Sequence, residues 1–388
     1  MSLPTVEGHA ATRDALASAL RAGHLPNSLL FHGPPGVGRQ RLALWLAQLL
    51  LCTAASEREP CDTCHACRLA TRLEHPDLHW YFPLPRPRGT APDRLGDALE
   101  EARAAELSAR RAEPLRATVP DGMSGIYLAH IHVLLRAAAA RPAMGNRKVF
   151  IIGDAEALVP QESSPEAANA LLKLLEEPPA DTTLILTAAD PDVLLPTIRS
   201  RLLAVRLAPL PDDRVAAFLR DHAGAADHDA ATAARLAQGA IGRALAFLPR
   251  NGQAGPLEDV RSAARHLLEA AIQPPAATRF AAALAESPAG ARGAFSDTLE
   301  FLILWLRDLA AAATGVEDLV VNTDATPWLG ATARRYPNAA AGVPDAIRHV
   351  EATLQLARLN INPQLALAGL LRQLNHCLLP SGTRTPNG

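Results

Sequence analysis

The sequence predicts a parallel sheet covered by helices, followed by a region that is entirely helical. Short apolar segments at 28–32, 149–152 and 182–187 alternate with stretches of helical composition, and this alternation is typical of the α/β class. A further, shorter strand is expected at 202–207. Beyond Pro209 the strand signal fades while the helical composition continues, which indicates a change of architecture at that point.

Three parts are expected along the chain. A typical domain of about 150 residues predicts about two and a half domains for 388 residues. The composition places an α/β module at 1–208, a small helical lid at 209–250 and an all-α C-terminal domain at 257–380. Within the module, the stretch at 83–120 is rich in proline and then in charged residues. Because it is longer than an ordinary loop, we interpret it as a partly helical surface insertion.

Composition and charge exclude several classes of protein. Hydrophobic residues make up 48% of the chain and charged residues 20%, which is enough apolar material for buried cores and argues against disorder. The net charge of −2 argues against a surface coated in basic groups, although a local basic face remains open. No apolar run is long enough to span a bilayer and no secretory signal begins the sequence, so we expect a cytoplasmic protein without a membrane partner.

A glycine-rich loop lies between the first predicted strand and a helix. Gly33, Gly36 and Gly38 match the glycines of a phosphate-binding loop, which let backbone N–H groups converge on an anion. Arg39 stands in place of the motif's lysine, and Gln40 in place of the hydroxyl that binds Mg²⁺. Arginine is not a conservative replacement here, so weak or no use of ATP is expected. A plain strand-to-helix turn is the alternative interpretation.

A second part of a nucleotide-binding signature follows the strand at 149–152. Asp154 occupies the position of the acid that normally supports Mg²⁺. The next position, where many ATPases carry a glutamate that polarises water, is Ala155, and Glu156 comes one residue late. Since this offset directs the side chain elsewhere, a second group is missing from the same chemical step and hydrolysis is not expected. Alternatively, Asp154 caps a helix after a core strand.

Four of the five cysteines lie between positions 52 and 67, which argues against a disulfide framework. Cys52, Cys61, Cys64 and Cys67 supply four thiolates, the number that a closed tetrahedral zinc site requires. With every position filled by protein, such a Zn²⁺ ion is structural. An iron–sulfur cluster uses the same ligands, but nothing else in the sequence indicates redox chemistry. Cys377 stands alone in an apolar helical segment and is interpreted as a core residue.

Two arginines precede the last predicted strand. Arg199 and Arg201 lie two positions apart in a segment that we expect to be extended. An arginine projecting from a surface can stabilise phosphoryl-transfer charge in the site of a neighbouring subunit. On residue type alone, an ordinary exposed salt bridge is favoured. Thr187 is a candidate γ-phosphate sensor, with a plain strand-terminating threonine as the more common alternative.

Together these segments resemble the bacterial clamp-loader AAA+ family of the DNA polymerase III holoenzyme. The resemblance covers about residues 5–250 well and the C-terminal third only loosely. The leucine-rich segment at 169–179 and the pair Ser200 and Arg201 are more specific to that family than the glycine-rich loop is. The stretches that carry the resemblance are residues 25–38, the four-cysteine module with 75–77, and residues 147–155, 169–179 and 197–201.

The resemblance implies a place in a ring. In such loaders five AAA+ subunits stand on a helical collar, which would be residues 257–380 here, and ATP binding drives opening of the sliding clamp. The chain is most similar to a rigid, catalytically silent member whose arginine completes an adjacent motor subunit's ATP site. That role falls on Arg201, with Ser200 beside it. Gly242 and Arg243 fall where the family has its second sensor arginine.

The partners and cofactors follow from the same resemblance. Motor subunits of the gamma/tau type and a delta-type subunit are implied through the AAA+ and collar interfaces. The sliding clamp and primer–template DNA are implied through the complex. The cofactor expected is structural Zn²⁺, with ATP weakly bound or not bound.

Two other functions stay open at this point. One is a weakly active AAA+ ATPase of the motor type with an atypical phosphate loop. The other is a zinc-containing nucleic-acid binder, against which the near-neutral charge and an aromatic content of 4% argue.

Overall fold

The computed structural model describes residues 6–56, 58–116, 124–158, 166–250, 252–286, 292–357 and 361–379. Parts of the predicted regions lie outside these ranges. They are residues 1–5, 57, 117–123 and 159–165 of the predicted α/β module, with residue 57 in the cysteine module and 117–120 in the proline-rich segment, and residues 287–291, 358–360 and 380 of the predicted C-terminal domain. The chain forms two compact units. The first takes in most of the described residues up to Leu245; the second comprises the described residues from Ala246 to Leu379 together with Ala231–Leu236.

Every strand that the described residues form lies in the N-terminal unit. Its strands are β1 (Ser28–His32), β2 (Leu78–Tyr81), β3 (Leu84–Pro85), β4 (Ser124–Gly125), β5 (Lys148–Ile152), β6 (Thr182–Ala188) and β7 (Leu203–Arg206). The helices of the chain up to Phe247 are α1 (Ala10–Arg21), α2 (Arg39–Leu51), α3 (His65–Thr71), α4 (Leu95–Ala112), α5 (Leu128–Ala139), α6 (Glu166–Glu176), α7 (Pro196–Arg199), α8 (Asp212–Ala223), α9 (Asp227–Ala237) and α10 (Ile241–Phe247).

Five strands form one parallel sheet in the order β2-β5-β6-β1-β7. Both faces of its central strands are buried, as is usual for parallel sheets. In β5, Val149 and Ile151 join the apolar cluster that includes α2, while Phe150 and Ile152 join the cluster that includes α5 and α6. The predicted α/β class is confirmed.

The edge strand β2 was not expected from the sequence. It pairs in parallel with β5, with Leu78 opposite Val149. The imidazole ring of His79 in β2 stacks on the ring of Phe150, with the ring centroids 4.6 Å apart. Burial, with the positive charge of Arg103 nearby, lowers the pKa of His79 to about 4, so the imidazole is neutral in the folded protein at neutral pH.

The proline-rich segment contains a helix that joins the core. Leu99 of α4 is fully buried, although the sequence suggested a surface insertion. Arg103 lies over the ring of Tyr81 at 4.8 Å and Arg110 over that of Trp80 at 4.5 Å. These cation–π contacts and the buried leucine hold α4 against the end of β2. The described part of the segment therefore helps to cover the sheet.

The C-terminal unit is helical. Its helices are α11 (Pro256–Ala271), α12 (Ala276–Glu286), α13 (Arg292–Thr314), α14 (Thr326–Arg335), α15 (Ala339–Ala357) and α16 (Pro363–Leu378). A largely buried Arg261 joins α11 to the turn before α14, because its guanidinium donates to Asp324 Oδ2 at 2.7 Å and to Asn322 Oδ1 at 2.9 Å. Trp305 of α13 donates from Nε1 to the carbonyl of Arg261 at 3.0 Å. Cys377 lies in α16, partly buried.

None of the described helices combines the length and the continuous apolar composition that a bilayer crossing requires.

Candidate functional site

The glycine-rich loop connects the carboxyl end of β1 to the start of α2. Gly36 and Gly38 have φ angles of 78° and 107°, in the left-handed region that glycine adopts most readily. The carbonyl of Gly36 accepts a hydrogen bond of 2.8 Å from the backbone N–H of Gly242. A Cβ on Gly36 would lie 2.6 Å from the backbone nitrogen of Arg243, so this approach depends on glycine. The loop thus lies directly against the residues that resemble a second sensor.

The two residues that replace the motif's lysine and hydroxyl bind a carboxylate of the same chain. Arg39 is 8% exposed; its Nη1 donates to the carbonyl of Gly33 at 2.9 Å and its Nη2 to Asp154 Oδ1 at 3.1 Å. Gln40 Nε2 donates to the other oxygen of Asp154 at 2.8 Å. Both oxygens of the predicted Mg²⁺ ligand are therefore engaged by the groups that would otherwise face a phosphate and its metal ion.

Asp154 directly precedes the 3₁₀ turn Ala155–Leu158, while its side-chain oxygens accept from Arg39 and Gln40. Its backbone carbonyl accepts from the N–H of Ala157 in this turn at 3.0 Å. Its own N–H donates to the hydroxyl of Thr187 at 3.0 Å, which gives this fully buried threonine a role in joining β5 to β6. The φ angle of Asp154 is 49°, a left-handed conformation that aspartate tolerates better than most residues.

Glu156 accepts hydrogen bonds from the backbone that follows β6. Its Oε1 accepts from the backbone N–H groups of Ala189 and Asp190, directly after β6. Burial raises the pKa of Glu156 above its usual range, and the nearby charge of Asp154 acts in the same direction. The expectation that the one-residue offset keeps this carboxylate from polarising water stays a prediction.

The four clustered cysteines converge on one point. The Sγ atoms of Cys52, Cys61, Cys64 and Cys67 all lie within 4.8 Å of one another. Two of the pairs, Cys52–Cys64 and Cys61–Cys67, are 3.9 Å apart. A tetrahedron with Zn–S bonds of about 2.3 Å has edges of about 3.8 Å, so the sulfur positions fit a tetrahedral metal site.

Backbone N–H groups surround the same sulfur atoms. Cys61 donates to the sulfur of Cys52 at 3.4 Å, Cys64 to that of Cys61 at 3.3 Å, and Cys67 to that of Cys64 at 3.4 Å. The bond from Cys64, followed by one from Thr63, lowers the pKa of the Cys61 thiol below its ordinary value. Such donors favour the thiolate, which is the form that binds a metal ion.

The cysteine module is attached to the helix that begins at the phosphate loop. Cys52 directly follows α2, and Trp45 of α2 donates from Nε1 to Glu59 Oε2 at 2.6 Å. Arg13 of α1 donates to the other oxygen of Glu59 at 2.5 Å, and Gln48 of α2 donates to Asp62 at 2.6 Å. The cluster therefore fixes the far end of α2.

The segment with the two arginines begins as a single helical turn rather than an extended strand, so that expectation is wrong. Pro196 is the first residue of α7, a position where its fixed φ favours a helix. Arg199, the last residue of α7, forms an ion pair with Asp192. Ser200 donates from Oγ to the carbonyl of Thr197 at 3.2 Å. Arg201 follows this turn.

Arg201 is 33% exposed and is held by two other elements. Its Nη2 donates to Glu176 Oε1, at the end of α6, at 2.6 Å. Its Nη1 donates to the carbonyl of Thr197 at 2.6 Å and to the hydroxyl of Ser200 at 3.3 Å. Glu176 was not singled out in the sequence, where it is 25 positions away from its partner.

The sheet separates Arg201 from the phosphate loop of its own chain. Strand β7 runs parallel to β1 with Leu203 opposite Leu29, so Arg201 lies at the amino end of these strands. The phosphate loop begins at Gly33, after the carboxyl end of β1. Four residues of strand separate the two levels, which is about 13 Å along the strand direction.

The described residues define an α/β module with appended helices: a parallel five-stranded sheet, a glycine-rich loop between β1 and α2, a four-cysteine cluster and a helical C-terminal region. The family model described as "DNA polymerase III, delta subunit" matches residues 8–211. The chain belongs to this family.

Individual relatives agree with the family match. DNA polymerase III subunit delta' of Escherichia coli K12 is 30% identical over 60% of this chain and 58% of the relative. Its counterpart in Pseudomonas aeruginosa PAO1 is 34% identical over 49% of this chain and 45% of the relative. DNA polymerase III subunit tau of Salmonella typhimurium LT2 is 29% identical over 52% of this chain and 24% of the relative. The chain spans about half the length of the delta' relatives that it matches.

Replacing Asp154 by asparagine tests the pairing at the phosphate loop. The variant keeps a residue that tolerates a left-handed φ but loses the charge and one acceptor, so Arg39 or Gln40 loses a partner. We expect the free energy of unfolding, measured by urea denaturation, to fall by about 1–2 kcal/mol. Asp192→Asn is the control, since its exposed pair with Arg199 contributes little. Equal midpoints for Asp154→Asn and the wild type would contradict the pairing.

Proposed function

We propose that this chain acts as a non-catalytic, delta-prime-like subunit of the DNA polymerase III clamp loader. In this role it braces the AAA+ ring and supplies Arg201 in trans to the ATP site of a neighbouring motor subunit. The observation that carries the proposal is the position of Arg201, which is partly exposed at the end of the sheet opposite the chain's own phosphate loop. A cation placed there serves chemistry in another subunit.

The state of the chain's own nucleotide site supports the non-catalytic part of the proposal. A motor subunit needs a cation for the β- and γ-phosphates and a ligand for Mg²⁺. Here Arg39 and Gln40 engage both oxygens of Asp154, and Ala155 offers no carboxylate to polarise water. To bind here, a triphosphate would have to break the ion pair between Arg39 and Asp154, in which the arginine is buried. ATP is therefore bound weakly or not at all, and the motor-type ATPase is the less supported alternative.

The chemistry assigned to Arg201 is electrostatic. During phosphoryl transfer, negative charge develops on the oxygens of the γ-phosphate, and a guanidinium placed beside them stabilises that charge. The planar fork of arginine matches two oxygens at once, which an ammonium group does not. Ser200 supports the arginine through its hydroxyl, which accepts from Nη1. In comparable systems such an arginine contributes about 10³–10⁵ in rate.

The partners proposed are other subunits of the loader. Motor subunits of the gamma/tau type and a delta-type subunit would meet this chain through its AAA+ module and helical collar. This chain is similar over 201 residues to a protein named subunit tau. That similarity supports a shared module architecture on the two sides of such an interface. The sliding clamp and primer–template DNA are proposed as partners of the assembled complex.

We further propose that the four cysteines hold a structural Zn²⁺ ion. The sulfur positions fit a closed tetrahedral site with no coordination position left for a substrate. When bound, the ion cross-links the end of α2 to the start of α3. Glu59 and Asp62 of the cross-linked module bind Arg13, Trp45 and Gln48. These contacts attach the module to α1 and α2.

Metal analysis of the purified chain tests the zinc site. We expect one zinc ion per chain, and Cys64→Ser should lower both the zinc content and the temperature of unfolding, because binding energy of the metal is folding energy of the module. Cys377→Ser is the matched control and should change neither the metal content nor its identity. Iron with visible absorption would favour the iron–sulfur alternative, and equal zinc in Cys64→Ser and the wild type would contradict the site.

Reconstitution of the loader with its motor subunits tests the role of Arg201. Clamp-stimulated ATP turnover should fall in Arg201→Ala, because the rate at the site that receives the arginine is expected to drop by about 10³–10⁵. Arg199→Ala is the control: it removes an exposed arginine two positions earlier that pairs with Asp192. Equal turnover for Arg201→Ala and the wild type would refute the proposal.

A further inference from the structure

We propose that Glu176 is the positioning residue for Arg201. Its carboxylate holds the guanidinium at the surface before a neighbouring subunit docks, so that the arginine enters the neighbour's ATP site already oriented. This inference rests on the proposed function of Arg201 and adds a second residue to it.

Two short hydrogen bonds define the orientation of the guanidinium. Nη2 donates to Glu176 Oε1 and Nη1 donates to the carbonyl of Thr197, each at 2.6 Å. The first acceptor belongs to the end of α6 and the second to α7, so the plane of the group is fixed from two directions. A guanidinium carries five N–H donors, and these bonds leave others for an incoming phosphate.

The position of Glu176 is unfavourable for its own helix. It is the last residue of α6, where the partial negative charge of the helix end disfavours a carboxylate. The guanidinium of Arg201 offsets that cost, and Glu176 in turn holds a long side chain that would otherwise sample many rotamers. The position of this carboxylate is therefore explained by its ion pair with Arg201 and not by stabilisation of α6.

Exposure of the pair allows the arginine to act on a phosphate. The side chain of Glu176 is 46% exposed and that of Arg201 is 33% exposed, so solvent weakens their attraction. A neighbour's triphosphate carries several negative charges and can compete for Nη2, while the carbonyl of Thr197 keeps hold of Nη1. Glu176 therefore orients the arginine without trapping it.

The experiment measures clamp-stimulated ATP turnover of the reconstituted loader with Glu176→Ala. We expect kcat to fall by about two- to fivefold, the range that corresponds to the loss of an exposed ion pair, with the KM for ATP unchanged. Glu176→Gln retains an acceptor and should recover most of the rate. Glu177→Ala is the matched control, because it removes the same charge from the adjacent position and should behave as the wild type.

The double variant Arg201→Ala/Glu176→Ala separates positioning from a general structural role. If Glu176 acts through Arg201, the double variant turns over no more slowly than Arg201→Ala. A further loss in the double variant, a wild-type rate for Glu176→Ala, or a rate above wild type would each overturn the inference. If Arg201→Ala itself has a wild-type rate, the proposed function fails first, and this result is distinct from a failure of Glu176 alone.

Discussion

The parallel pairing of β7 with β1 is the constraint on which the functional account depends. Because Leu203 lies opposite Leu29, the residues before β7 are held at the amino end of the sheet while the phosphate loop begins at its carboxyl end. The guanidinium of Arg201 is therefore kept away from the chain's own glycine-rich loop. This separation follows from strand direction and register alone, and it is the basis of our proposal that Arg201 acts in another subunit.

At the other end of the sheet, residues beside the glycine-rich loop pair with one another. Arg39 and Asp154 form an ion pair, and Gln40 completes it, so the groups nearest to a phosphate already have partners. The helix that starts at this loop ends at Leu51, directly before Cys52, the first residue of the cysteine cluster. Loop, helix and cluster thus form one continuous element with a fixed point at each end. Such an element suits a subunit that braces its neighbours.

Much of this arrangement could be predicted from the sequence, because local signals were strong. The apolar strands β1, β5 and β6, the glycine loop and the cysteine spacing all have short-range patterns. Strand β2 was missed because its four residues follow Pro76-Asp77, include His79 and carry no β-branched side chain, although the aromatic run beginning at Trp80 was a usable signal. The turn of α7 was missed although Pro196 marks its first residue.

Pairs that join distant parts of the chain could not be predicted in this way. Arg39 and Asp154 are 115 positions apart, and Glu176 and Arg201 are 25 apart, so only the folded sheet brings each pair together.

The most direct test of the central claim is electron microscopy of the reconstituted loader with a non-hydrolysable ATP analogue. The account predicts the Arg201 guanidinium about 3 Å from a γ-phosphate oxygen in the adjacent subunit. An arginine that stays remote from every partner's triphosphate would contradict it.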